Sequence, residues 1–414
     1  MLSVRLGRQY DRIYDDETSI TVPKTPADWS LQRPVICRKP MPPTSVLRII
    51  DASLNRASEG IRVVEDYARF VLDDPFLTNE AKSLRHDLAA AAAAIPSADR
   101  HTARDTTHDV GTTLTAPAEQ LRSSAWDVCL ANLKRTEQSL RSLEEYGKLT
   151  DPAFAKSMES LRYRLYTLEK ALDVGRASRD RLEKVRLCVL IDGRESEAEF
   201  ERLVRGLVDA GVGMLQLRDK RLDDRQLLGR ARLLVSLTRT QPPAPPGVKR
   251  AVDDDNVEPP AEPGAAGPAH RATLAIINDR ADIAVAANAD GVHVGQEDLH
   301  VKEVRAIVGT RMLIGVSTHK IEQARAAVLD GANCLGAGPT FPSETKEFES
   351  FAGLKYLRSV AAETKLPTFA IGGIGARNLP DVLSTGITRV AVGSAVTAAA
   401  EPASAARELL SMLK

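Results

Sequence analysis

The sequence predicts an α/β fold class: a (β/α)8 TIM-type barrel in the C-terminal half, preceded by an all-α helical bundle. Three observations predict it. From Arg186 onward, eight short apolar runs alternate with eight segments of helical spacing, the pattern of parallel strands joined by crossover helices. Residues 44–175 show helical periodicity and no strand signal. Several apolar runs end abruptly in Asp, Arg, Lys, Ser or Gly, and in a parallel barrel all such ends open on one face.

Composition sets the outer bounds. A chain of 414 residues suggests two or three domains. Lys+Arg and Asp+Glu balance at 56 each, so no net field favours nucleic acid or an acidic membrane. Aromatic residues, at 4%, offer few base-stacking platforms. Cys37, Cys129, Cys188 and Cys334 are far apart, with no metal-ligand pair or disulfide framework, which suits a cytoplasmic location. No apolar run is long enough to span a bilayer, and residues 1–12 lack the apolar stretch of a secretory signal. The expected partners are small-molecule substrates, with a homo-oligomer left open.

Residues 1–43 are polar and end in prolines, so they read as a flexible tail. The helical domain is expected over 44–175. Thr44 or Ser45 can cap its first helix, in which Leu47, Ile50, Leu54, Ala57, Ile61, Val64, Ala68 and Val71 share a face. Pro75 marks its end. A second helix is expected over about 79–94, stopped by Pro96, then a polar loop over 101–113. A third helix spans about 118–146, with Gly147 placed for a left-handed cap, and a fourth about 152–174. Residues 176–185 read as a linker.

The barrel occupies 186–414. Its strands are expected at 187–191, 213–217, 274–278, 291–294, 312–316, 334–337, 368–371 and 389–392. Residues 241–272 interrupt it with eight prolines and an Asp253–Asp255 run. That insert reads as an unstructured spacer between a helix and a strand, on the face opposite the strand ends that carry chemistry.

Those strand ends hold the candidate site. Gln216, Arg218 and Lys220 alternate, so one side of the backbone carries an amide and two cations. They either grip a heteroaromatic diphosphate or form an ordinary solvated strand end. Asn278 and Asp279 end the third strand, and Asp298 follows the fourth. Hard oxygen ligands of this kind suit Mg2+, which takes one or two carboxylates plus phosphate oxygens. The alternative for Asp279 is a helix cap. His293 lies inside an apolar strand and reads as a core or supporting histidine. Ser317 either donates to a phosphate or caps the next helix. The segment from Gly336 to Lys346 offers small residues, then Ser343, Thr345 and Lys346. Gly372-Gly373 and Gly393-Ser394 end the last two strands, where barrels frequently bind a substrate phosphate on backbone N–H groups.

Taken together, QLRDK, IINDR, DGVHVGQED, GVSTH, GPTFPSETK, IGGI and VGSA resemble the thiamine-phosphate synthase family over about 186–414, apart from the insert. The resemblance implies condensation of 4-amino-2-methyl-5-(diphosphooxymethyl)pyrimidine with a thiazole phosphate, giving thiamine phosphate and diphosphate. By matching position it implies that Gln216, Arg218, Lys220, Asn278, Ser317 and Lys346 bind the pyrimidine diphosphate. Among these, Arg218, Lys220 and Lys346 would be catalytic through their charge. Asp279 and Asp298 would hold Mg2+. Ser343, Thr345, Gly373, Gly393 and Ser394 would bind the thiazole phosphate, Ser343 standing where the family often has threonine.

Competing expectations are a barrel that only isomerises the thiazole phosphate, which would not need the metal and diphosphate residues, and a non-catalytic sensor of thiamine precursors. The N-terminal segment, with DASLNRASEGIRVVED, RDTTHDVGT and NLKR through EEYG, resembles a helical domain found fused to such synthases. That resemblance implies a hydroxymethylpyrimidine-phosphate kinase; a scaffold or oligomerisation bundle is the alternative. No P-loop or glycine-rich kinase loop is present in the sequence.

Overall fold

The bundle is built on amphipathic helices whose apolar faces meet. The computed structural model describes residues 42–109, 121–239, 273–342 and 352–413. The expected tail through residue 41, the insert and the end of the polar loop fall outside them, and so do Ser343, Thr345 and Lys346. The bundle comprises α1 (Thr44–Phe70), α2 (Pro75–Ala92), α3 (Ser97–Ala103), α4 (Ala125–Gly147) and α5 (Pro152–Arg181). The predicted α1 face is buried from Leu47 to Ala68, whereas Val71 lies past the helix end and is exposed.

Several local expectations are corrected. Neither Thr44 nor Ser45 caps α1: Pro43 occupies the cap position, with no side-chain bond. α2 starts four residues early, because Asp74 accepts from Leu77 N at 3.0 Å and Pro75 suits the first turn. The short α3 was not expected; Pro96 does not stop α2, which ends four residues earlier at Ala92, but holds the cap position of α3. α4 begins at Ala125, where Ser124 caps it, rather than near 118. Gly147 is not left-handed. It is the last residue of α4, and a Cβ there would lie 2.8 Å from the Phe154 ring, so glycine lets that ring pack close. α5 runs through Arg181 and takes up most of the segment read as a linker.

The second half forms a closed barrel of eight parallel strands in sequence order: β1 (Leu187–Ile191), β2 (Met214–Leu217), β3 (Leu274–Asn278), β4 (Gly291–Val294), β5 (Leu313–Thr318), β6 (Cys334–Ala337), β7 (Thr368–Ile371) and β8 (Val390–Val392). Between and after them lie α6 (Glu197–Asp209), α7 (Asp224–Arg239), α8 (Ala281–Ala286), α9 (Val301–Val308), α10 (Ile321–Asp330), α11 (Gly353–Glu363), α12 (Leu379–Leu383), α13 (Ser394–Thr397) and α14 (Pro402–Met412). The short α13 is an addition to the eight helices expected.

Strand periodicity sorts the interior into layers. Cys188, Met214, Ile276, Leu313, Cys334, Phe369 and Ala391 pack together inside, closed below by Leu182 and Val185. Two residues further along β2, β3, β5 and β6 come Gln216, Asn278, Gly315 and Gly336, on the same side of the pleat, and β4 adds His293 at this level. The apolar layer is thus the floor beneath the polar one.

Bundle and barrel pack as one compact unit. The Arg181 guanidinium donates to the backbone oxygens of Arg311 and Asp290, and Asn333 Nδ2 donates to Ser178 Oγ at 2.9 Å. Asp74 accepts from Thr364 Oγ1 at 2.8 Å and from Lys365 N at 2.7 Å. No helix among the described residues is long and apolar enough to cross a membrane.

Candidate active site

The site is assembled at the C-terminal ends of the strands. β2 and β3 pair in register, Gln216 beside Ile276. This brings Gln216 Nε2 to 2.8 Å from Asn278 Oδ1, so each amide fixes the other's orientation. Beyond Gln216, Arg218 is half-buried and anchored by its N–H to Ile191 O at 2.8 Å, while Lys220 is exposed. The intervening Asp219 takes the opposite side. Its carboxylate accepts from Arg221 and from Gly193 N at 3.0 Å. Those bonds, above all the Arg221 guanidinium, pull its pKa down to about 2. Asp219 therefore shapes the loop that presents Arg218 and Lys220. Sequence reasoning gave it no role, although its odd position between two even-numbered cations was the available signal.

Asp279 has a positive φ of 59°, a conformation a non-glycine residue holds only where surroundings impose it. Its N–H donates to His293 O at 2.8 Å, fixing it to β4. It does not cap α8, whose cap position is Arg280 with no side-chain bond. Instead its carboxyl lies against Asp298. Burial first, and the Asp298 charge second, push the Asp279 pKa up, while Lys220 and Arg218 pull it down. Asp298 is also held by Gly295 N at 2.7 Å. Two carboxylates thus face each other beside two cations.

A divalent cation fits this donor set, because it would relieve the repulsion the pair now carries. Among the described residues no cluster of three or more His, Cys, Asp or Glu side chains accompanies the pair. Two carboxylates suit a hard ion that completes its shell with phosphate oxygens and water.

His293 sits over two glycines. A Cβ on Gly315 would come 2.3 Å from its Nδ1, and one on Gly336 would come 3.1 Å from its Cε1. Burial pushes the His293 pKa down to about 4, so the ring is neutral near pH 7. Its Nε2 lies 2.9 Å from Ser317 Oγ, and Gln296 Nε2 donates to Ser317 O at 2.7 Å. Ser317 does not cap α10, where Lys320 holds the cap position without a side-chain bond. It is a hydroxyl oriented at the mouth by a half-buried imidazole. Buried thiols are poor nucleophiles here: burial pushes Cys334 up to about 12, and Cys188 upward as well.

The β7 end is folded against the β6 loop. Thr340 N and Oγ1 both donate to Ile371 O, and Phe341 N donates to Gly372 O at 3.0 Å. Gly373 has φ 63°, and a Cβ there would lie 2.4 Å from Pro342 O, so only glycine fits. Gly393 precedes α13, which Ser394 begins. The structure therefore brings together Gln216, Arg218, Lys220, Asn278, Asp279, Asp298 and Ser317, and places Gly373, Gly393 and Ser394 at the ends of neighbouring strands.

Comparison with known proteins bears on what this mouth belongs to. The chain is 44% identical over 361 residues to the thiamine-phosphate synthase of Rhodopirellula baltica, covering 85% of this chain and 88% of that one. The chain belongs to the thiamine-phosphate synthase family. A second such synthase, from Synechocystis sp., is 37% identical over 90% of this chain and 97% of its own length. The family description "Thiamine monophosphate synthase" matches residues 249–396, and "ThiD2 family" matches residues 48–171. A solved thiamine phosphate pyrophosphorylase from Pyrococcus furiosus covers 57% of this chain and 96% of its own, at 30% identity and a TM-score of 0.45. Membership of the synthase family makes the barrel a transferase. It also sets aside the isomerase and sensor alternatives.

Proposed function

We propose that the barrel transfers the pyrimidinylmethyl group of 4-amino-2-methyl-5-(diphosphooxymethyl)pyrimidine to the ring nitrogen of 4-methyl-5-(2-phosphooxyethyl)thiazole, in a Mg2+-dependent reaction. The observation that carries this reading is the facing pair Asp279 and Asp298 in the field of Arg218 and Lys220. The bond from the exocyclic carbon to the diphosphate oxygen breaks, and a bond from that carbon to the thiazole nitrogen forms. The electron-rich aminopyrimidine can carry positive charge as the bond breaks. The main task is therefore to stabilise negative charge accumulating on the departing diphosphate.

Arg218 and Lys220, with Lys346, meet that charge directly. Ser317, oriented by His293, offers a hydroxyl to the diphosphate, and Gln216 with Asn278 presents amide groups to the pyrimidine. Mg2+, when held by Asp279 and Asp298, supplies further positive charge to the phosphate oxygens. Ser343, Thr345, Gly373, Gly393 and Ser394 anchor the thiazole phosphate, which keeps the nitrogen in line with the reacting carbon. That nitrogen already has a lone pair, so no general base is required.

The bundle is read as the supplier of the diphosphate. In that reading an oxygen of hydroxymethylpyrimidine monophosphate bonds to the γ-phosphorus of ATP, the β–γ bridge breaks, and ADP leaves. Support comes from the DASLNRASEGIRVVED and NLKR resemblance and from charged groups such as Arg56, Glu59 and Arg135 exposed on α1 and α4. Mixing full-length protein with both barrel substrates and Mg2+ should give thiamine phosphate by mass spectrometry, and chelation should abolish it. A folded protein that makes none, or that works equally well in excess chelator, rejects the corresponding part of the proposal.

A further inference from the structure

Bundle and barrel meet at the wrong end of the barrel for a direct hand-over. Asp290, Arg311 and Asn333 immediately precede or shortly precede β4, β5 and β6, and Thr364 and Lys365 precede β7. These are the N-terminal strand ends, and it is there that Arg181, Ser178 and Asp74 bind. The catalytic groups lie at the other ends of the same strands: Asp298 follows β4, and Ser317 is the penultimate residue of β5. Strands of four to six residues separate the two faces, roughly 13–20 Å at the usual rise.

Among the described residues, the lower layer of the barrel interior is filled by side chains. The interior layer of Cys188, Met214, Ile276, Leu313, Cys334, Phe369 and Ala391 is buried, and Leu182 and Val185 close it from below. Within the bundle, one polar cluster lies further away still. Buried Asp51 accepts from Arg104 Nε at 2.7 Å and Nη2 at 3.0 Å, and Arg48 donates to Asp105 O. Asp51 is in the N-terminal part of α1, whereas the barrel meets the bundle just past the C-terminal end of α1, at Asp74. From Asp51 to Phe70 the helix rises roughly 30 Å.

We infer that a pyrimidine diphosphate made on the bundle leaves the protein and reaches the barrel mouth through bulk solvent. The fused chain is then two enzymes in series without a private intermediate. The inference rests on the kinase reading of the bundle, and it fixes what fusion does not do: it raises no local concentration of the intermediate at the mouth.

Isotope dilution tests it on the full chain. The protein receives ATP, Mg2+, thiazole phosphate and isotopically labelled hydroxymethylpyrimidine monophosphate, with and without unlabelled pyrimidine diphosphate. Unlabelled diphosphate at roughly tenfold over the amount formed should lower the labelled fraction of the thiamine phosphate roughly tenfold, because no effective concentration favours the internal route. Label that persists despite dilution overturns the inference, whether passage is within one chain or between copies. A separate assay follows labelled diphosphate formed from ATP with the thiazole phosphate left out. If none forms, the kinase reading fails, and the inference falls with it by a route distinguishable from retained label.

Discussion

The two faces of the barrel treat charge in opposite ways. On the floor, the carboxylate and amide that join the two regions are fully bonded: Asp74 caps α2 and accepts two further bonds from the barrel, and Asn333 bonds both to Arg305 and to Ser178. At the mouth, Asp279 and Asp298 face each other, and burial and mutual repulsion oppose ionisation of Asp279. The floor carboxylate holds two regions together. The mouth pair is left in tension that a shared proton or a bound cation would relieve. Saturation favours stability, and an unrelieved pair favours binding.

Substitutions can break this comparison from either side. The largest effect is expected at the mouth. Lys220→Ala, at an exposed position, should lower kcat about 100-fold or more by removing charge stabilisation, with unchanged circular dichroism. Near-normal turnover would remove Lys220 from its proposed role. Next comes the floor. Asp74→Ala orphans three donors, so it should cost about 3 kcal/mol in urea unfolding while leaving kcat/KM for added diphosphate unchanged. A stability loss within about 0.5 kcal/mol would mean that water or neighbours replace the carboxylate.

The smallest effect concerns stability at the mouth. The folded pKa of Asp279 is raised, so the fold binds its proton more tightly than the unfolded chain does. Its ionisation therefore costs stability as pH rises from the ordinary carboxylate range through the raised folded value. Asp279→Asn should melt higher than the parent near neutral pH in chelator, with the gap closing toward about pH 4, and should lack turnover. A lower melting temperature at neutral pH would show that the carboxylate supports the fold.

Much of this was legible in the chain. Strands 187–191, 274–278, 291–294, 334–337 and 368–371 have the bounds their apolar runs indicate, because short runs bounded by polar residues have one way to sit in a parallel sheet. The Gln216, Arg218, Lys220 alternation was equally plain. Helix starts were harder. α2 begins at Pro75 because Asp74 and Pro75 act together, whereas each alone reads as a stop signal.

What the sequence determined by itself was periodicity: which segments are helix or strand, which side of each strand carries chemistry, and hence a barrel behind a bundle. Only the tertiary structure decided which groups meet. The contact of Asp279 with Asp298, the hold of His293 on Ser317 across Gly315 and Gly336, the pinning of Asp219, and the seating of the bundle on the floor all join residues from different strands or helices. Spacing along a chain fixes direction, because backbone geometry repeats locally. Distance between segments is set by closure of the barrel and by packing, and those depend on every element at once.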